Sequence, residues 1–180
     1  MSLSKEILIK NVITPVGELI LGSLGSELCL CDWRYRKQRT QIDQRLQKIA
    51  MANYKEGETV VIEQAEKELN EFFNEKRQKF TVPLLLLGSE FQKSVWQQLL
   101  KIPYGETVSY LALSKALGNE KAIRAVAAAN GANALSILVP CHRVIGASGD
   151  LVGYAGGVAA KKKLLMLEGA LQNGQTSLFG

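Results

Sequence analysis

Ser109–Asn130, SYLALSKALGNEKAIRAVAAAN, decides how the second half of the chain is read. Ser109 can cap a helix whose Ala112, Leu113, Ala116 and Leu117 face inward, and Gly118 supplies its C-terminal stop. Asn119 can cap a second helix running to about Asn130, with Ile123 and Val126 as the buried stripe. Lys121, Arg124, Ala125 and Ala128 then lie outward. Surface helices normally carry long polar side chains. Small residues around one arginine let a broad partner approach the backbone, and a nucleic-acid groove is one such partner. Two short helices joined by a tight turn are weak grounds for DNA binding by themselves.

Working outward from this pair, Ser89 is placed to cap a preceding helix to Lys101 that buries Phe91, Val95, Trp96 and Leu99 or Leu100. Pro103, Tyr104 and Gly105 end it. Downstream, Leu135–Val139 reads as a buried strand closed by Pro140, after which Cys141, His142 and Arg143 emerge where loops commonly present reactive groups. A glycine-rich stretch follows, and a last helix starts near Val158. The first half reads as strands Ile7–Val12, Leu19–Gly22 and Glu27–Trp33, then a helix over Ile62–Asn74. Between them the basic segment Arg34–Lys48 reads as a loop or an exposed helix. Pro83 and the run Leu84–Leu87 mark a connector, so the expected organisation is residues 1–84, 85–170 and a tail of 171–180.

The chain has 180 residues, 47% hydrophobic and 22% charged, which suits a folded core and excludes disorder as the default. Lysine and arginine number 22 against 17 acids, so the net charge of +5 permits a polyanionic partner. No apolar run approaches the ~20 residues needed to cross a bilayer, and no secretion signal is visible. A cytoplasmic protein (nuclear, if eukaryotic) is expected. Three cysteines are too few for a disulfide framework, and one histidine rules out a Cys2His2 zinc site. Cys29 and Cys31 share one face of a strand and read as small buried hydrophobes, so no metal is expected.

Cys141 is the candidate nucleophile. A thiol attacks as thiolate and needs a neighbour to take its proton, and the chain's one histidine is the next residue. Glu168 lies on the apolar stripe of the last helix, between Leu164 and Leu171, where a carboxylate needs a hydrogen-bonding partner. A Cys141–His142–Glu168 relay would have the logic of a hydrolase triad. The residues alone also fit a buried cysteine beside a surface histidine, with Glu168 at the helix edge.

Pro140-Cys141-His142-Arg143-Val144-Ile145, preceded by Ile137-Leu138-Val139 and followed by Gly153-Tyr154-Ala155-Gly156-Gly157, resembles the signature of the O6-alkylguanine-DNA alkyltransferases. The likeness extends upstream through Pro103–Tyr110 and Arg124-Ala125-Val126, and downstream to Glu168-Gly169. It covers roughly Ser89–Ala170 densely; the first half is similar only in length and layout.

The resemblance implies an α+β chain. A small antiparallel sheet with a helix, ribonuclease H-like, would precede a mainly helical winged helix-turn-helix domain. It implies DNA repair by a single irreversible transfer of the alkyl group from O6-alkylguanine, and from O4-alkylthymine, to Cys141 without a cofactor. In that reading His142 draws off the thiol proton through a bound water and Glu168 orients its ring. Asn133 braces the turn near the thiol, and Tyr110 donates its hydroxyl to the guanine as charge develops. Arg124 fills the gap left by a flipped nucleotide, while Ala125 and Ala128 approach the minor groove. Main-chain groups of Cys141, Val144 and Ala155 read the base edge, and Tyr154 and Gly156 shape the alkyl pocket. The partner would be duplex DNA containing O6-alkylguanine, met by a monomer and away from any membrane. Ala127 and Ala134 depart from the glycine and proline usual in the family, without removing a reacting group. Asn130, Leu151 and Val152 stand at variable positions of the pocket entry. Three other readings fit less well. A recognition protein that binds alkylated bases without reacting would lack the cysteine, a cysteine hydrolase leaves Arg124 unexplained, and a regulatory winged-helix module has no need of Cys141, His142 and Glu168.

Overall fold

In the computed structural model, which describes residues 5–171, the chain divides into two compact units between Gly88 and Ser89. The first is built on a four-stranded sheet in the order β3-β2-β1-β4. β1 (Lys5–Thr14) and β2 (Gly17–Leu24) form a hairpin, and β3 (Glu27–Trp33) continues it antiparallel from Leu19 opposite Trp33 to Leu24 opposite Glu27. The chain then enters α1 (Arg39–Ala50) and returns as β4 (Ala52–Glu56), parallel to β1. The sheet is therefore mixed, not purely antiparallel, and it carries two helices instead of one.

α2 (Val60–Phe73) is capped by Thr59, whose side chain accepts from the Ile62 N–H at 3.2 Å. It buries Val61, Ile62, Ala65, Leu69 and Phe72 over the face of the sheet that carries Lys10, Leu19, Leu21 and Ser23, where Lys10 pairs with Glu66 and Ser23 bonds to Thr59. Cys29 and Cys31 are free and buried in β3. Leu84 still belongs to this unit. The Leu28 N–H donates to the Pro83 carbonyl at 2.8 Å and the Leu85 N–H to the Leu28 carbonyl at 2.9 Å, so the connector runs along the sheet edge before leaving it.

The basic segment after β3 is organised by one buried carboxylate. Asp32, wholly buried, accepts from Arg36 at 2.9 Å and from Arg39 at 3.0 Å; Arg39 also binds Asp43, which takes the Tyr54 hydroxyl at 2.8 Å. These bonds fasten the start of α1 to β3 and its middle to β4.

The second unit begins with α3 (Glu90–Leu99), closed at its N-terminus by a reciprocal Ser89–Gln92 capping box. Val95, Trp96 and Leu99 are buried, whereas Phe91 and Leu100 are exposed, so the inward stripe is narrower than the apolar residues suggest. The Trp96 indole donates to the Ala129 carbonyl at 2.8 Å, locking α3 to α5 (Ile123–Gly131). Before α5 come α4 (Tyr110–Ala116) and a 3₁₀ turn, Glu120–Ala122, capped by Asn119.

α4 corrects the expected register. Leu113 and Ser114 are buried and Leu117 half-buried, while Ala112 and Ala116 face solvent. Ser114 tolerates burial because its hydroxyl donates to the Tyr110 carbonyl at 2.9 Å. In α5, Val126, Ala129 and Asn130 are buried, Ile123 is exposed, and Arg124, Ala125 and Ala128 point outward as expected.

Leu135–Val139 is not a strand. Its residues are buried in a tight turn in which the Val139 N–H donates to the Leu135 carbonyl at 2.8 Å and Ser136 bridges to Val139, with Ile137 at φ 74°. A β-branched residue in that region is strained, and the packing of the turn must hold it there. Two short parallel strands follow in space: β5 (Val108–Ser109) pairs with β6 (Val144–Ile145). α6 (Val158–Leu167) closes the unit, burying Ala160, Lys161, Leu164 and Leu165, with Ile145, Leu165 and Leu171 in one apolar cluster. Residues 172–180 of the expected tail lie outside the described residues. Among those described, no helix is long and apolar enough to cross a membrane.

Removing one member of a buried ion cluster strands the charge of its partners. Asp32→Ala should therefore lower unfolding stability by roughly 3–5 kcal/mol, measured by urea or thermal denaturation; a loss below about 1 kcal/mol would show that Arg36 and Arg39 find other partners.

Candidate active site

Cys141 opens a 3₁₀ turn, Cys141–Arg143, and each flank of that turn is tied down separately. On the N-terminal side the Cys141 N–H donates to the Val139 carbonyl at 2.8 Å. Asn133 holds the preceding turn across its mouth. Its amide donates to the Val139 carbonyl at 2.9 Å and its oxygen accepts from the Leu135 N–H at 2.9 Å. On the C-terminal side Val144 enters β6. Because β6 pairs with β5, and Tyr110 follows β5 directly, one short ladder sets the tyrosine against the cysteine turn. The Tyr110 phenol has a raised pKa, chiefly through burial and further through the negative charge of a Cys141 thiolate; the Asn130 amide beside it works the other way.

His142 is wholly buried, and its Nε2 lies 2.8 Å from Glu168 Oε1. Its Nδ1 is buried without a protein hydrogen-bond partner, the arrangement of a nitrogen available to accept a proton. Burial holds the imidazole pKa below the ordinary value, helped by the charges of Arg143 and Lys161, although Glu168 pulls it upward. Glu168 sits just past the end of α6 and is 5% exposed. Burial alone would raise its pKa, but hydrogen bonds from His142 and Arg143 outweigh that and bring it down to about 2. The carboxylate is therefore charged throughout the neutral range.

The end of α6 is itself held from outside. The Tyr104 hydroxyl donates to the Leu167 carbonyl at 3.2 Å. Gly105, at φ 83°, passes so close that a Cβ there would meet the Glu168 carbonyl at 3.0 Å. Glycine is required at that point both for its backbone angle and for its lack of a side chain.

Two charged residues of the site are not evident from the sequence. Arg143 binds Glu168 through two nitrogens, at 2.9 and 2.8 Å, and the Ile102 carbonyl through a third at 2.7 Å. Lys161 is fully buried, and its ammonium donates to the carbonyls of Val144 at 2.5 Å and Val152 at 3.0 Å. It clips together the two ends of the segment that runs from β6 through the loop 146–151 to Val152. Burial brings its pKa down to about 8, against the opposing charge of a Cys141 thiolate. The lysines on either side of a helix stripe look alike in a sequence; only the period that puts Lys161 with Leu164 and Leu165 distinguishes it from Lys162 and Lys163.

The remaining expected residues fall into two groups. Val144 is buried beside the cysteine turn, and Tyr154, Ala155 and Gly156 are half-buried in the segment before α6. The Tyr154 ring meets His142 edge-on, with ring centres 6.5 Å apart. Arg124, Ala125 and Ala128 are instead on the open face of α5, so they are exposed where the Cys141–His142–Glu168 group is buried. Cys141 itself is 3% exposed.

Residues 90–170 match the family model described as 6-O-methylguanine DNA methyltransferase, DNA binding domain. The chain is 40% identical over 157 residues to the methylated-DNA–protein-cysteine methyltransferase of Methanosarcina acetivorans, covering 87% of this chain and 95% of that one. It is also 40% identical over 153 residues to the constitutive methylated-DNA–protein-cysteine methyltransferase of Bacillus subtilis, covering 85% and 89%. Among solved structures, that of Mycobacterium tuberculosis OGT in complex with DNA superposes with a TM-score of 0.76 at 39% identity, over 92% of this chain and 93% of that one.

The depressed carboxyl has a consequence for stability. A group whose folded pKa lies below its unfolded value stabilises the protein above the unfolded pKa, and that contribution disappears as pH falls through the folded one. From the ordinary 4.5 to about 2, Glu168 supplies on the order of 3 kcal/mol that vanishes over this window. Acid unfolding of Glu168→Gln should accordingly show a shallower pH slope there than the parent, and an identical slope would show that the carboxyl is not held ionised.

Proposed function

The chain belongs to the methylated-DNA–protein-cysteine methyltransferases, and on that footing we propose that it repairs O6-alkylguanine in duplex DNA by moving the alkyl group onto Cys141. The observation that carries this reading is the order Cys141, His142, Glu168 in one buried group, with His142 Nδ1 left to accept and Nε2 engaged by a carboxylate. His142 Nδ1 takes the Sγ proton through a water. The sulfur then forms a bond to the alkyl carbon as the bond from that carbon to O6 breaks, and the electron pair passes into the purine ring. Tyr110 directs its hydroxyl at the ring and stabilises the developing charge; proton uptake restores guanine. The thioether has no low-barrier return path, so each molecule reacts once. O4-alkylthymine presents the same alkyl–oxygen bond and is a second substrate.

Access to the alkyl carbon requires the nucleotide to leave the stack, at a cost of a few kcal/mol. α4 and α5 act as a helix-turn-helix set in the minor groove, where Ala125 and Ala128 allow close approach and Arg124 enters the gap. The loop between β6 and α6 serves as the wing, and the strand order β3-β2-β1-β4 suits a ribonuclease H-like plan. The flipped base sits against Val144, Tyr154, Ala155 and Gly156. The Val144 carbonyl already accepts from Lys161, and its N–H donates to the Cys141 carbonyl. Base reading through these two carbonyls therefore uses their second lone pairs. The protein works as a monomer and needs no cofactor.

Mass spectrometry after exposure to O6-methylguanine duplex should find one methyl gained per chain, on the peptide holding Cys141, and none in Cys141→Ala although that variant still binds DNA. Binding without any adduct in the parent would leave only the non-reacting recognition role. Arg124→Ala should slow repair of duplex at least about tenfold, more than one kcal/mol in barrier, while attack on free O6-benzylguanine is spared; equal losses on both would remove Arg124 from nucleotide extrusion.

A further inference from the structure

The relay of Cys141, His142 and Glu168 gives no work to Arg143, yet Arg143 makes three hydrogen bonds in the group, as many as Glu168 itself. It is 6% exposed. Nε donates to Glu168 Oε2 and one terminal nitrogen to Oε1, the other reaches the Ile102 carbonyl, and the guanidinium carbon stands 5.9 Å from the centre of the Tyr104 ring. Glu168 Oε1 thus serves His142 and Arg143 together, each at 2.8 Å.

A buried carboxyl–imidazole pair can carry one proton or two. With one, on Nε2, the imidazole is neutral and Nδ1 keeps its lone pair. With two, the second proton sits on Nδ1, either as imidazolium beside carboxylate or as the other neutral tautomer beside carboxylic acid. In both two-proton forms Nδ1 has lost its capacity to accept. A guanidinium bound through two parallel N–H groups needs both carboxylate oxygens unprotonated, which excludes the acid form. Its permanent charge also weakens the pull of that carboxylate on a second imidazole proton. The charged groups facing His142 are Glu168 on one side and Arg143 and Lys161 on the other, and burial adds to the latter two. Cys141 precedes it in the chain, and the Tyr154 ring edge offers no charge.

We propose that Arg143 is a positioning residue for proton transfer: by clamping both oxygens of Glu168 it holds His142 in the one-proton state, with the proton on Nε2 and Nδ1 open. The purpose of the device rests on the alkyl-transfer reading, but its test does not.

The chain has one histidine, so a nitrogen-15 imidazole spectrum reports His142 alone. In the unaltered protein at about pH 7 the expected pattern is a protonated Nε2 and an unprotonated Nδ1, titrating below the usual value of about 6.5. In Arg143→Gln the pair should take up its second proton at least about one pH unit higher, and Arg143→Lys, which keeps a charge but not the fork, should fall between. Repair by Arg143→Gln should then show a deficit that is several-fold near pH 6, grows toward about tenfold as pH falls further, and shrinks as pH rises. A residue that merely supports the fold would lower the rate equally at every pH. A protonated Nδ1 in the unaltered protein at neutral pH overturns the proposal, and that result needs no variant to fold. So does an unchanged titration in a folded Arg143→Gln. Should the spectrum fit while the unaltered protein transfers no alkyl group, the alkyl-transfer reading fails and the clamp stands.

Discussion

A single buried carboxylate, Glu168, orders the second unit. It is held ionised where charge is expensive, and the surrounding structure compensates for it. His142 and Arg143 reach it from one 3₁₀ turn, and that turn is the one that carries Cys141. Meeting the needs of Glu168 therefore fixes the cysteine turn in place. The tyrosine and glycine of the Pro103–Gly105 turn press on the end of α6 from the other side, so the carboxylate cannot retreat to solvent without losing that packing.

The same logic runs outward through backbone groups. Asn133 has both ends of its amide engaged by the turn that precedes Cys141, and Lys161 holds the loop that follows it. These two side chains do for irregular backbone what a strand ladder does for a sheet: they satisfy buried N–H and C=O groups that have no regular partner. The strained φ of Ile137 is maintained inside the first of these braces. Held this firmly, the irregular segment keeps Cys141 and His142 in fixed relation to the carboxylate at the end of α6.

Much of this was readable in the residues, and the failures have definite causes. Helical spacing located α2 and α3, and the outward set Arg124, Ala125 and Ala128 on α5 follows from Val126 being inward. The Cys141–His142–Glu168 group could be anticipated because one histidine and one carboxylate on an apolar stripe have few partners to choose from. β4 was missed because an edge strand of Ala52, Asn53, Tyr54, Lys55 and Glu56 has no apolar alternation to reveal it; its parallel pairing with β1 made the sheet mixed. Leu135–Val139 looked like a strand because a continuous apolar run signals burial and not conformation. The inward face of α4 was misplaced because alanine is indifferent to burial, whereas Ser114 can be buried once its hydroxyl finds the Tyr110 carbonyl. Arg143 and Lys161 were invisible as site residues for a common reason: their burial depends on acceptors distant in the chain, and composition places such residues in water.

Burial of the reacting group and exposure of Arg124 make opposite demands, and the helices reconcile them. α5 leaves Arg124, Ala125 and Ala128 exposed on its open face, while its inner face, through Val126, Ala129 and Asn130, forms part of the core that carries the site. Trp96 pins α5 to α3 by donating to Ala129, and Asn130 stands beside the Tyr110 hydroxyl. Arg124 thus stands on the same helix whose Asn130 borders the Tyr110 phenol. The exposed Arg124 face and the buried face beside Tyr110 therefore belong to one short helix, whose position is fixed by α3.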